Sequence, residues 1–193
     1  MIIRKLFKFE NAHIVRNCST QRCSLSLHGH SYKVEVLLQS SYLDEAQMIY
    51  DFGLTKLTIK EFIDAFDHSV TLWSKDSSEY IEDMKKHSKR WIILPVSPSA
   101  EQFSRVIFLI VQKVIDSTIM VNGERGVEVH SIIVHETDTG YAQSFKEDAN
   151  SQRMGKIDLG DIEFSAQIQK EWSRMTLWSD ILEGKLIKNP KKI

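Results

Sequence analysis

The amino-acid sequence predicts an α+β fold, and three patterns predict it. Residues 3–13 and 28–38 alternate apolar and polar side chains with a period of two. Residues 54–66 and 99–114 repeat apolar side chains at helical spacing, and residues 127–136 and 141–145 return to strand-like composition. The resulting order, β-β-α-α-β-β closed by a C-terminal helix, belongs to a segregated α+β domain and not to an alternating parallel sheet.

In the first strand Ile3, Phe7, Phe9, Asn11 and His13 share one parity, while Lys8 and Glu10 take the other, so one face is buried. Residues 14–27 are polar and irregular, too long for a tight hairpin turn. The second strand sets Tyr32, Val34, Val36 and Leu38 against Lys33 and Glu35, and is expected antiparallel to the first. Leu57, Ile59, Phe62, Ile63 and Phe66 trace a helical stripe with Asp51 near its start as a cap. Residues 74–90 are charged and lack a clear period, which reads as a loop or insertion. Ser99 and Gln102 form a capping-box pair ahead of Phe103, Val106, Ile107, Ile110, Val111 and Val114. Asp138-Thr139-Gly140 supplies a hairpin turn. Phe164, Ile168, Trp172, Met175 and Leu182 predict one more amphipathic helix, stopped before Pro190.

A chain of 193 residues has room for one domain with an appendage. Its 25 Lys+Arg against 26 Asp+Glu leave a net charge of −1, which gives no electrostatic reason to expect nucleic acid or an anionic membrane as partner. No apolar run approaches the roughly 20 residues that span a bilayer, and no signal-peptide core follows Arg4 and Lys5. Cys18 and Cys23 are too few for a disulfide framework, so a reduced, cytoplasmic protein is expected.

The strongest chemical signal is His28-Gly29-His30 at the start of the second strand. Residues two apart in a strand project from one face, here the apolar one. His13 ends the first strand on the buried parity, so antiparallel pairing brings three imidazoles to one rim of the sheet. Three neutral nitrogens with a fourth position left to water or substrate are the layout of a catalytic zinc site. Two other readings stay open: ordinary polar residues at strand ends, or a closed structural site of Cys18, Cys23, His28 and His30. Asp67 and His68 can serve one site if the turn after the first helix directs both inward. Glu136 shares parity with Ile132 and Val134, and a carboxylate on an apolar face needs a partner, such as a ligand with two adjacent N–H donors. His87, His130 and His135 receive no role.

Taken in order, Phe9-Glu10-Asn11-Ala12-His13, Cys23, Leu27-His28-Gly29-His30-Ser31-Tyr32, Met48-Ile49-Tyr50-Asp51-Phe52, Phe66-Asp67-His68, Pro98-Ser99-Ala100-Glu101 and His135-Glu136-Thr137 form a motif series. The series resembles the 6-pyruvoyltetrahydropterin synthase / 6-carboxytetrahydropterin synthase family. The resemblance covers residues 1–145, a pterin synthase-like domain, and leaves 146–193 as an unmatched extension expected to be helical. It implies a tunnelling fold: a four-stranded antiparallel sheet with two helices on one face, assembled as trimers or dimers of trimers with active sites between subunits.

The resemblance further implies Zn2+ held by His13, His28 and His30, and a 7,8-dihydroneopterin triphosphate substrate. Cys23 would be the general base, Asp67 and His68 a proton relay, and Glu136 and Glu101 substrate-binding residues. Cys18 stays as an alternative base, and Arg16, Arg22 and Lys33 are available for the triphosphate. Cysteine in place of glutamate argues against the members that make a folate precursor. Leu27 ahead of the histidine pair is similar to the Leu-His-Gly-His of the enzymes that make 6-carboxytetrahydropterin on the way to queuosine. The 6-pyruvoyl product is the alternative, as is a non-catalytic pterin-binding module.

Overall fold

The computed structural model describes residues 1–193. Strand β1 (Ile2–His13) buries Phe7, Phe9, Asn11 and His13 and turns Lys8 and Glu10 outward. A short helix, α1 (Gln21–Leu25), folds the following loop back, and the Cys23 carbonyl accepts the Val15 N–H at 3.1 Å. Strand β2 (His28–Gln39) runs antiparallel to β1 along its whole length, from Gln39 opposite Ile2 to His28 opposite His13. The end of one strand therefore lies against the start of the other, as the histidine argument requires.

The first helical stripe is shorter than its apolar pattern. A 3-10 turn at Leu54–Lys56 precedes α2 (Thr58–Asp64), and the Asp51 carboxylate accepts the Gly53 N–H at 2.7 Å ahead of that turn. Strand β3 (Ser69–Trp73) pairs parallel with β1 at Asn11 and Ala12 only. Residues 74–90 are not a featureless loop, because they carry α3 (Ser78–His87), and β4 (Trp91–Leu94) follows. Ser77 caps α3 by accepting the Tyr80 N–H, and Tyr80, Ile81 and Met84 pack on Val70, Leu72 and Ile93. Three apolar positions in a charged segment are too few to display a period. Trp91-Ile92-Ile93-Leu94 is a continuous apolar run because both of its faces are covered, so alternation could not reveal it.

Helix α4 (Ala100–Asp116) begins as expected, with the Ser99 hydroxyl accepting the Gln102 N–H. The reciprocal half of the capping box is absent: the Gln102 amide donates to Met154 O and its oxygen accepts from Arg105. Beyond β5 (Thr118–Ile119), β6 (Glu128–His135) and β7 (Tyr141–Ser144) form the predicted hairpin, with the Thr137 hydroxyl accepting the Gly140 N–H across its turn.

The C-terminal segment holds α5 (Lys146–Ala149), β8 (Glu163–Phe164), α6 (Ala166–Glu171), α7 (Leu177–Leu182) and β9 (Ile187–Lys188). The single expected helix is thus two, and Phe164 belongs to a strand. The break falls at Trp172, whose backbone is extended. This seats Trp172 and Trp178 against Phe62 and Phe164, with ring centroids 5.2–5.4 Å apart. Met175, read as part of the buried stripe, is exposed.

The seven-stranded sheet has the order β7-β6-β2-β1-β3-β4-β8. The four-stranded antiparallel sheet is present as β7-β6-β2-β1, and the parallel β3 and β4 with the antiparallel β8 enlarge it. Residues of α2, α4, α6 and α7 fill the main core on one face, while α3 covers Val70, Leu72 and Ile93 apart from it. No helix is long and apolar enough to cross a membrane.

Candidate metal centre and active site

Pairing of β1 with β2 sets His13 opposite His28, and His30 opposite Asn11. The ring centroids lie 4.7 Å (His13 to His28), 5.4 Å (His13 to His30) and 5.1 Å (His28 to His30) apart, and one nitrogen of each falls within 4.8 Å of the others. Nδ1 of His13 meets the Pro98 carbonyl, and Nδ1 of His28 meets the Ser26 carbonyl at 2.9 Å. A carbonyl can only accept, so both Nδ1 atoms carry the proton and both Nε2 atoms are left with a lone pair for a ligand, the Tyr32 hydroxyl standing 3.4 Å from that of His13 while donating to Glu136. His13 is fully buried and stacked on Phe103. Burial pulls its pKa down to about 4, against the opposing hydrogen bond to Pro98, so the ring is neutral at neutral pH. Neutral, oriented imidazoles on neighbouring strands fit a zinc ion. Neither cysteine joins the group, which leaves the closed Cys2His2 arrangement without its sulfur ligands. The Cys18 thiol donates to the Thr20 carbonyl instead.

Glu136 follows the last residue of β6 and reaches the same rim. Its Oε1 accepts from the Tyr32 hydroxyl at 3.2 Å and lies 3.8 Å from His13 Nε2 and 3.9 Å from His30 Nε2. Burial, together with the Glu136 and Glu101 carboxylates, pushes the Tyr32 phenol well above its ordinary range, so it stays a donor. Tyr32 was legible in the sequence only as an apolar-face residue, although its parity with His28 and His30 already placed it beside them. Glu101, in the first turn of α4, is exposed between the buried Ala100 and Phe103.

Asp67 and His68 form a pair of their own at the open edge of β1. Asp67 Oδ1 accepts the Glu10 N–H at 2.7 Å, Oδ2 lies 2.8 Å from His68 Nδ1, and the His68 N–H donates to the Glu10 carbonyl at 2.7 Å. Partial burial raises the Asp67 pKa, but the Glu10 amide and His68 outweigh it, leaving the carboxyl below its usual range. His68 is exposed, has a left-handed backbone (φ 50°), and borders a hollow of about 520 Å3 with Glu10, Ala12, Ser31 and His30. No hydrogen bond joins this pair, or Cys23, to the histidine cluster within one chain. Of the cations available for a triphosphate, Arg16 pairs with Asp76 at 3.0 Å and Lys33 with Asp138 at 2.7 Å, while Arg22 is exposed. His135 bonds Glu35 at 2.9 Å.

A family profile described as 6-pyruvoyl tetrahydropterin synthase matches residues 2–147. The chain belongs to this family. Two proteins from strains of Helicobacter pylori, each named 6-carboxy-5,6,7,8-tetrahydropterin synthase, are 36% and 34% identical to it. Their alignments cover 89% and 94% of this chain, and 86% and 92% of theirs. Those alignments run well past residue 147, so the C-terminal segment does have a counterpart in these relatives, contrary to the expectation that it is unmatched. The structure of Plasmodium falciparum 6-pyruvoyl tetrahydropterin synthase shares the tunnelling fold, with a TM-score of 0.56 at 20% identity over 75% of this chain and 98% of that one. The family is one of enzymes that act on pterins.

Proposed function

We propose that this chain is a zinc-dependent 6-carboxy-5,6,7,8-tetrahydropterin synthase. It would convert 7,8-dihydroneopterin triphosphate with release of triphosphate and acetaldehyde, in the cytoplasm, on the way to queuosine and other deazapurines. One observation carries the reading: three imidazoles on paired strands, two of them held by carbonyls so that Nε2 is free. The product is argued from the name shared by the two Helicobacter relatives.

In this reading His13, His28 and His30 hold the zinc, which supplies a Lewis acid that polarises the oxygens of the substrate side chain. Glu136, kept in place by the Tyr32 hydroxyl, accepts the pterin's amino and ring N–H groups in charge-assisted bonds. Glu101 assists at the mouth of the site. Cys23 takes the carbon-bound proton as a thiolate. Asp67 orients His68, which relays protons. Because Asp67 and His68 stand at the open edge of β1, they would act on the site of a neighbouring copy in a homotrimer or a dimer of trimers.

Mass spectrometry of the products tests the assignment: 6-carboxytetrahydropterin with acetaldehyde is expected, and a pyruvoyl product without acetaldehyde would overturn it. Cys23→Ala is expected to keep its zinc, measured by elemental analysis, while turnover falls by roughly 100-fold or more. Loss of metal in that variant would point to a sulfur ligand.

A further inference from the structure

The turn that carries Asp67 and His68 is held from two sides by side chains outside it. On one flank the buried Asn11 amide donates to the carbonyls of Phe66 and Ser69 at 2.9 and 3.1 Å. On the other, Arg90 donates through Nε to the Asp67 carbonyl at 2.9 Å, and through Nη2 to the Asp64 carbonyl at 2.8 Å and the Ala65 carbonyl at 3.4 Å. Asp64 and Ala65 close α2, the Asp64 carbonyl also accepting the Asp67 N–H at 3.0 Å, and a guanidinium at a helix C-terminus is favoured by hydrogen bonding and by the helix dipole. The remaining nitrogen, Nη1, pairs with the Glu171 carboxylate at the end of α6. One planar cation thus spans the helix end, the backbone of Asp67 and the C-terminal segment.

We propose that Arg90, fixed by Glu171, is the positioning residue of the Asp67–His68 turn, and that this is how the C-terminal segment contributes to turnover. The proposal rests on the reading of Asp67 and His68 as the proton relay. His68 needs such support, because a non-glycine residue at φ 50° is held only when its surroundings over-determine it. Lysine could not replace Arg90, since an ammonium lacks the fork that reaches several carbonyls and a carboxylate at once. The second tie between α2 and this segment, Glu61 accepting the Ser173 N–H and hydroxyl, fixes α6 against α2 and so sets where Glu171 stands.

The test uses steady-state kinetics of the full-length, zinc-loaded protein. Arg90→Ala and Arg90→Lys are expected to lower kcat tenfold or more, with KM and zinc content within twofold of the parent. Glu171→Ala is expected to lower kcat about threefold, and Glu171→Gln, which keeps an oxygen acceptor, to recover most of that loss. If Arg90→Ala does not fold, the two Glu171 variants decide. Unchanged kcat in Glu171→Ala, or a loss of kcat matched by losses of zinc and melting temperature, overturns the proposal. His68→Ala separates the two levels: if it retains full activity the relay reading itself fails, whereas an inactive His68→Ala beside a fully active Arg90→Ala sinks only the role of Arg90.

Discussion

A single side chain, His13, shows how burial can ready an imidazole for a metal. Its ring lies between Phe103 and the imidazoles of β2, and the Pro98 carbonyl accepts a hydrogen bond from its one N–H. Protonating it would place a cation in a sealed site, which is why its pKa falls to about 4 from an ordinary 6.5. Between those values the unfolded chain binds a proton that the folded metal-free chain refuses. The stability of the metal-free protein therefore drops as pH falls from 6.5 toward 4, by up to about 3 kcal/mol from this group. Urea unfolding of metal-free protein at pH 7 and pH 4.5 measures the drop. In His13→Gln, whose amide can still donate to Pro98, the difference between the two pH values should shrink; an equal difference would mean that other groups cause it.

Elements with a long apolar stripe on one buried face were legible in the sequence, and elements without one were not. β1, β2 and β6 alternate because one side meets the core, and α4 shows a stripe for the same reason. β4 is covered on both faces, α3 has three apolar contacts, and the break between α6 and α7 depends on where Phe62 and Phe164 stand in space. The candidate site divides likewise. Parity and antiparallel pairing were enough to gather the histidines, but the Pro98 carbonyl, Arg90 and Glu171 come from distant segments, and no local pattern marks them. The two-helix arrangement makes opposite predictions for two residues of the apolar stripe. Trp172→Ala removes a buried indole from the aromatic cluster and should cost about 3–5 kcal/mol. Met175→Ala, at an exposed position, should stay within about 0.5 kcal/mol of the parent. Denaturant unfolding of both variants checks the pair, and equal losses would favour one continuous helix.

The sheet as a whole ends in edges that one chain leaves open. Beyond Asn11 and Ala12 no strand covers the far side of β1, and β7 is the outermost strand at the opposite end. Ile2 and Leu6 are exposed on the uncovered stretch of β1, an arrangement that invites pairing with another chain. Joining the β1 edge of one copy to the β7 edge of the next would continue the antiparallel sheet, and a closed ring of copies would leave no such edge. The Asp67–His68 pair hangs on the Glu10 backbone at the β1 edge, while β7 is linked by a tight turn to Glu136 beside the histidines. Edge-to-edge pairing would therefore bring the Asp67–His68 pair of one copy toward the histidine cluster of its neighbour. If turnover needs Cys23 beside the cluster and His68 from the adjoining copy, two inactive variants can complement each other. Cys23→Ala and His68→Ala, each inactive alone, should regain roughly a quarter of the parent activity when unfolded and refolded together in equal amounts, because random assembly gives about that share of interfaces with both side chains intact. A mixture that stays inactive while forming the same oligomer would place both residues in the site of a single chain.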